Sequence, residues 1–381
     1  MPLRPRKPRG GGVYWLLALA GLVCLVWILW KSARVAEPPG KPPLTGGSGR
    51  PSNQLVQVRR PVLATNRPAA APFLTSDQPP AQPITTNVTP LRPPPTKLPA
   101  ENILAIQLAL SRQGISGGSL DGVLGSQTRA AIRAFQQREG LAATGELDEG
   151  TQARLILDGP LYVVDAVTTN DLARLQPVSP TWLGKSQQER LDYETVLELA
   201  AEIGQAHPDL VRRLNPGIDW SVVAAGTPLK RPNAGYPAPR GKAAFLHIRL
   251  ASKTLQAFDA STNLVAHFPC SVARRVEKRP IGELHVAKIA LNPSYRFDPD
   301  IFPESPEGRQ LGRPLMIPPG PNNPVGTAWI GLDKPGYGIH GTPRPEEVGR
   351  TESHGCFRLA NWNVDYLVSL VSVGTPVRVE P

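Results

Sequence analysis

Residue types able to do covalent chemistry gather near the C-terminus, in Ile339-His340-Gly341-Thr342 and then Ser353-His354-Gly355-Cys356-Phe357-Arg358-Leu359. A cysteine attacks a carbonyl carbon as the thiolate, so it needs an imidazole or a donor-rich backbone beside it. If residues 354 to 358 are extended, His354, Cys356 and Arg358 share one face while Phe357 and Leu359 point into a core. His354 then lies roughly 7 Å away along the same strand, whereas His340 arrives from another segment and can approach the sulfur more squarely. His340 is therefore the expected base and Cys356 the expected nucleophile. Two plainer readings stay open: a packing cysteine between apolar neighbours, and a His-His-Cys metal set, which lacks a fourth ligand at any usual zinc spacing. No metal and no cofactor is expected.

The elements that must position these residues read as a mostly β domain. Phe245 to Leu250 alternates, Leu255 to Phe258 and Leu264 to Phe268 are short runs joined by Asp259 to Asn263, and Pro-Gly punctuation recurs to Gly336. One good helix is expected, Asn363 to Val373, ended by Gly374 and followed by a closing strand, Pro376 to Val379. Cys270 reads as a core residue; the alternative, a disulfide to Cys356, would switch the nucleophile off.

The stretch GIHGTPRPEEVGRTESHGCFRLANWNVDYLVSLVSVGTPVRV resembles the signature of the L,D-transpeptidases of the YkuD type. Asn292-Pro293-Ser294-Tyr295 and Pro321-Asn322-Asn323-Pro324-Val325-Gly326-Thr327 fit as well, and the likeness spans residues 243–380. It departs at Arg279-Pro280-Ile281-Gly282, where the family has Thr-Pro-x-Gly, and Arg274-Arg275 is expected to alter the mouth of the site. The resemblance implies Cys356 as nucleophile and His340 as base, with its other ring nitrogen held by the Gly341 carbonyl. His354, Ser353 and Gly355 would shape the site, and the amides around Gly355 and Cys356 would hold the oxyanion. Arg358 would orient a carboxylate of the stem peptide or serve in a structural ion pair.

Upstream, Ile103, Ile106 and Leu110 share a helical face, and Thr128, Ala131, Ile132 and Phe135 form a second stripe that Gly140 stops. A third short helix is expected from Glu149 to Ile156. DGVLGSQTRAAIRAFQQREGLAATGELDEGTQARL resembles a peptidoglycan-binding domain, placed at 101–157. Residues 192–232 carry helical stripes at Val196 to Ile203 and Leu210 to Leu214, then Leu-Asn-Pro and a strand-like return. They resemble a degenerate LysM-like α/β module, with Glu194-Thr195 in place of its glycine-aspartate start.

The first hundred residues hold the charge. The whole chain of 381 residues has a formal net charge of +11, and residues 1–100 carry 13 basic side chains against 2 acidic ones. The folded remainder has no field to attract a polyanion, so no nucleic-acid partner is expected. Residues 36–100 hold 16 prolines and read as a disordered linker. Residues 13–30 form an uncharged apolar run after a basic tail at 1–12, with Tyr14, Trp15, Trp27 and Trp30 at its ends. This predicts a single transmembrane helix with the N-terminus inside, since no small-x-small cleavage site follows as a signal peptide would require.

The expected fold is therefore multidomain: a transmembrane helix, a small helical peptidoglycan-binding domain, a LysM-like module and a mostly β YkuD-type catalytic domain. The apolar run and its basic flank place the chain in the cytoplasmic membrane with the catalytic domain facing the periplasm, and the resemblance implies that it is an enzyme. It would act on peptidoglycan tetrapeptide stems through a cysteine acyl-enzyme, forming 3-3 cross-links or attaching a protein to the wall. An L,D-carboxypeptidase with water as acceptor and a non-catalytic wall tether are the alternatives. The chain's expected partner is peptidoglycan, its stem tetrapeptides and glycan strands; residues 101–232 are expected to localise the enzyme rather than act on the substrate, with the degenerate LysM-like module a structural bridge rather than a strong sugar binder.

Overall fold

The computed structural model describes residues 102–302, 305–351 and 355–381, all within one compact unit, Thr86–Pro381. The expected anchor at 13–30 and linker at 36–100 lie outside the described residues, as do Ser353 and His354. Among the described residues no helix is long and apolar enough to cross a membrane.

The first part is helical. Helices α1 (Ile103–Ser111), α2 (Ser126–Arg138) and α3 (Glu149–Arg154) close over Ile106, Leu110, Ile132, Phe135 and Leu155. Two buried glutamines tie its loops. Gln107 donates to Asp121 and Thr128 at 2.7 and 3.0 Å, while Gln136 donates to Thr151 at 2.9 Å and accepts from the Gly145 amide. Each therefore satisfies loop groups that would otherwise be buried unpaired.

The middle part is built on strand β1 (Tyr162–Ala166), helices α4 (Thr169–Arg174), α5 (Trp182–Ser186), α6 (Val196–Ile203) and α7 (Pro208–Leu214), and strand β2 (Pro228–Pro232). β1 and β2 pair antiparallel, Tyr162 opposite Pro232, against Val196, Leu197, Ala200, Leu210 and Val211. No strand begins at 192–195, because Thr195 caps α6 through the Glu198 amide. The strand that pairs with the predicted return lies instead at 162–166, before an inserted segment that carries α4 and α5.

The C-terminal part is an eight-stranded sheet in the order β11-β10-β9-β6-β12-β3-β4-β5. Its strands are β3 (Phe245–Arg249), β4 (Thr254–Phe258), β5 (Leu264–Pro269), β6 (Gly282–Leu291), β9 (Ala328–Leu332), β10 (Gly338–His340), β11 (Phe357–Arg358) and β12 (Pro376–Glu380). Leu246, Ile248, Phe268, Ile330, Ile339 and Phe357 fill the core against Val364 and Leu367 of helix α9 (Asn361–Leu370).

Sequence reading missed a flank beside this sheet. A two-stranded ribbon, β7 (Tyr295–Phe297) with β8 (Leu315–Ile317), carries a short helix α8 (Pro306–Leu311) between its strands. α8 is held by local devices, a Ser305 cap, Pro306 in the first turn and a left-handed Gly312. Six residues are too few for a periodic signal.

The helical part does not hang free of the sheet. Ile115 bridges to His267, and the Ser116 amide donates to the His267 carbonyl at 2.8 Å, so the outer edge of β5 is covered.

Candidate active site

Strand pairing brings the two reactive motifs together. β10 and β11 run parallel with Ile339 opposite Phe357 and His340 opposite Arg358. Ile339 and Phe357 are fully buried on one face, so His340 and Arg358 share the other. Cys356 immediately precedes β11. Cys356, His340, Arg358 and Gly355 line one cleft of about 590 Å³.

The imidazole is oriented before any substrate arrives. His340 Nδ1 lies 2.7 Å from the Gly341 carbonyl oxygen, which can only accept, so Nδ1 carries the proton and Nε2 keeps a lone pair. Trp329 lies nearly parallel to the ring at 5.5 Å. Burial pulls the imidazole down to about 4; the Gly341 bond works against this shift and the Arg358 charge reinforces it. Burial likewise pushes the Cys356 thiol up, opposed by a Gly338 backbone bond and by Arg358. At neutral pH the resting pair is thus thiol and neutral imidazole, a base ready to take a proton rather than a preformed ion pair.

Asn361 is a residue that sequence reading missed. It is 1% exposed, and its Oδ1 accepts from the Thr342 and Thr327 amides at 3.0 and 3.3 Å while Nδ2 donates to the Pro321 carbonyl at 3.3 Å. It joins the loop after His340 to the Pro321–Thr327 loop. A Cβ on Gly341 would stand 2.2 Å from Asn361 Oδ1, which explains the glycine in Ile-His-Gly-Thr. Nothing in the sequence separated it from Asn363 and Asp365, the other polar residues in the first half of the same helix.

Elsewhere the cleft is lined by Tyr295, Phe297, Phe302, Trp329 and Tyr337 with the cations Lys278, Arg296 and Arg358, and by no carboxylate among the described residues. Arg274 and Arg275, expected at the mouth, do not line it; Lys278, which sequence reading did not single out, does. Trp182 also lines it, although it belongs to the middle part.

Neither Cys270 nor Cys356 is in a disulfide; Cys270 is fully buried in the sheet core. Among the described residues no cluster of His, Cys, Asp or Glu could hold a metal ion. Ser353 and His354 lie outside the described residues.

Residues 243–379 match the YkuD family, the L,D-transpeptidase catalytic domain, and residues 99–155 match a family described as a candidate peptidoglycan binding domain. A Bacillus licheniformis protein named as a candidate L,D-transpeptidase YkuD is 29% identical over 188 residues, 49% of this chain and 94% of its own. ErfK/SrfK of Salmonella typhimurium, named in the same guarded way, is 29% identical over 191 residues, 47% of this chain and 57% of its own. YbiS of Escherichia coli K12 is 30% identical over 167 residues, 43% of this chain and 53% of its own. The chain thus spans little more than half the length of the last two. A solved L,D-transpeptidase 3 of Mycobacterium tuberculosis, in complex with a faropenem-derived adduct, is 15% identical with a TM-score of 0.29, covering 41% of this chain and 75% of that one. That score carries no argument of its own. The family match and the named relatives make residues 243–379 an L,D-transpeptidase catalytic domain of the YkuD family, preceded by a helical peptidoglycan-binding domain.

Proposed function

We propose that this chain is a wall-acting acyltransferase in which Cys356 takes the acyl group of a peptidoglycan tetrapeptide stem. The observation that carries the reading is the pairing of β10 with β11, which brings His340, its Nε2 unprotonated, into the same cationic, aromatic cleft as Cys356. A stem peptide brings carboxylates to Lys278, Arg296 and Arg358 and aliphatic groups to the rings.

The Cys356 sulfur attacks the carbonyl at the L-centre of diaminopimelate as its proton passes to His340 Nε2. Backbone amides of Gly355 and Cys356 hold the oxyanion. The C–N bond to the terminal D-alanine breaks, and its amine takes the proton back from His340, leaving a thioester on Cys356. An acceptor amine then gives a proton to His340 as it attacks the thioester, and the thiol reforms. A second diaminopimelate as acceptor yields a 3-3 cross-link, and a protein lysine yields wall attachment.

The flanking segments fit the same reading. The apolar run at 13–30 anchors the chain in the cytoplasmic membrane with the catalytic domain outside, and the linker at 36–100 sets its reach. The domain at 101–157 binds peptidoglycan. β1, α6, α7 and β2 follow the strand-helix-helix-strand order of a LysM-like glycan-binding module, which supports extending the 192–232 segment back to Tyr162.

Intact-mass analysis with a disaccharide tetrapeptide, alone and with an acceptor amine, tests this. A thioester on Cys356 that disappears into cross-linked product is expected. Tripeptide as the sole product with acceptor present would instead make the enzyme an L,D-carboxypeptidase, and unmodified protein with both substrate and a carbapenem would leave a wall tether.

A further inference from the structure

The catalytic family match begins at residue 243, yet one wall of the cleft comes from the segment inserted between β1 and α6. Trp182 lines the same cavity as Cys356 and His340. Its indole lies flat on Phe297 of β7, centroids 4.2 Å apart at 11°, and tilts against Tyr295 at 6.3 Å.

The insertion is stitched to this flank along its length. The Glu307 carboxylate of α8 accepts from the Trp182 and Leu183 amides, both at 2.8 Å. Further on, the Leu191 amide donates to the Pro319 carbonyl at 2.8 Å and the Asn322 amide to the Leu191 carbonyl at 3.0 Å. Leu191 is fully buried with Phe297, Leu315 and Ile317 in a small core to which Trp182, Leu183 and Val178 add. Gly320, at φ +140°, lets this approach happen, since a Cβ there would stand 2.1 Å from the Leu191 carbonyl oxygen. Beyond the insertion, Asn322 Nδ2 donates to Glu198 of α6 at 2.6 Å. Leu191, Trp182 and Leu183 take no part in the middle module's own core.

We infer that residues 178–191 of the inserted segment are a working wall of the acyl-donor cleft, and that Trp182 is a specificity-determining residue for the aliphatic part of the donor peptide. The inference rests on the acyltransferase reading of the cleft. Its physical content is preorganisation: β7 meets the rest of the catalytic domain through the short β7–β8 ribbon, and Trp182 fixes its two aromatic side chains from outside. Donor binding draws on this wall. The chemical step, at β10 and β11, does not.

Steady-state kinetics on the full chain with a tetrapeptide donor separate these contributions. Trp182→Ala should raise the donor KM about tenfold, the scale of a lost apolar pocket contact, with kcat within about threefold. Trp182→Phe keeps a ring on Phe297 and should recover most of the KM. Peptide-mapped alkylation of Cys356 gives a readout independent of turnover. Iodoacetamide should react equally with wild type and Trp182→Ala, while a bulky maleimide should react several-fold faster once the wall is thinned. An unchanged KM, or losses in kcat and thermal stability that Phe fails to recover, would overturn the assignment. If wild type turns over no tetrapeptide donor, the acyltransferase reading fails, and the wall is then decided by the maleimide rate, where no acceleration refutes it.

Discussion

The two sides of the cleft are built in opposite ways. On the reactive side, β9, β10 and β11 are neighbours in one sheet, and His340 and Cys356 are set by backbone pairing and by groups within 30 residues of them in sequence, Trp329 and Asn361 included. On the other side, Tyr295 and Phe297 sit on a small ribbon packed against Trp182 and Leu191 from far upstream. Chemistry that needs sub-ångström geometry is thus carried on the sheet, while recognition is shared with a segment outside the catalytic domain. Perturbing the two sides should therefore give different kinetic signatures, large in kcat for one and in KM for the other.

The largest effects should come from the sheet side. Cys356→Ser keeps the shape but offers a far weaker nucleophile, so kcat/KM should fall by roughly three to six orders of magnitude. His340→Ala should fall comparably, and the double variant little further, because nucleophile and base act as a unit. Pre-steady-state measurement of acyl-enzyme formation checks this. Losses that multiply in the double variant would mean that the two side chains act independently.

An intermediate effect is expected at Asn361, which touches no reacting atom and acts through the loop after His340. Asn361→Ala leaves the Thr327 and Thr342 amides without their acceptor, a cost of about 1–3 kcal/mol in a buried site. A tenfold to hundredfold loss in kcat with KM nearly unchanged is the result to look for. A merely structural residue would lower the melting temperature without moving the acidic limb of the pH profile, so both are to be measured. That limb belongs to His340. Its imidazole is depressed to about 4, so the base stays neutral through mild acid, and kcat/KM should decline only as pH approaches 4. Activity should rise on the alkaline side, where the raised thiol begins to ionise.

Stability responds to pH with opposite signs in the two regions. His340 and His267 are held at about 4 and about 3 in the fold, each mainly by burial, against an ordinary value near 6.5. Between those values the unfolded chain binds more protons. Their contribution is therefore intact above about pH 6.5 and lost as pH falls toward 4 and 3. Glu202 of α6 runs the other way. Burial raises it to about 8, helped by Asp365, Glu198 and Glu346 and opposed by Asn361. Its folded form holds a proton that the unfolded form has lost, so that contribution is present at acid pH and disappears as pH rises through about 8. Glu202→Gln should accordingly flatten the fall in melting temperature between about pH 4.5 and about pH 8, and leave the profile on the alkaline side of that window unchanged. A melting profile identical to wild type would mean that Glu202 ionises freely.

What was legible in the sequence follows the same division. The hairpins at 245–269, the C-terminal helix, expected over 363–373 and found at Asn361–Leu370, the closing strand and the helical part all carry their signal within a dozen residues, as period-two or period-3.6 patterns with turn residues at their ends. His340 and Cys356 were legible because each lies in a short motif. The parallel pairing that joins them was not, since β10 and β11 are three and two residues long. The inserted segment was invisible for a different reason. Trp182 and Leu191 look like ordinary apolar residues of a linker, and only long-range docking gives them a surface to cover. β1 was missed likewise, because its partner β2 lies beyond four intervening helices.

The smallest effect is expected at the second cysteine, and it isolates what makes the first one reactive. Cys270 is fully buried at the end of β5, its thiol donating to the Ser271 carbonyl at 3.4 Å, and burial alone pushes that thiol far up. Cys356 shares the burial penalty, but it also has the Gly338 backbone bond, the Arg358 charge and a cleft that admits a substrate. Cys270→Ala removes one sulfur from a packed core and should cost about 1–2 kcal/mol of stability, with kcat and KM within twofold of wild type. In the native protein, alkylation should modify Cys356 and leave Cys270 untouched until the chain unfolds. Modification of Cys270 in folded protein, or a large loss of turnover in Cys270→Ala, would show that the core of the sheet and its reactive edge are coupled more tightly than their separate surroundings imply.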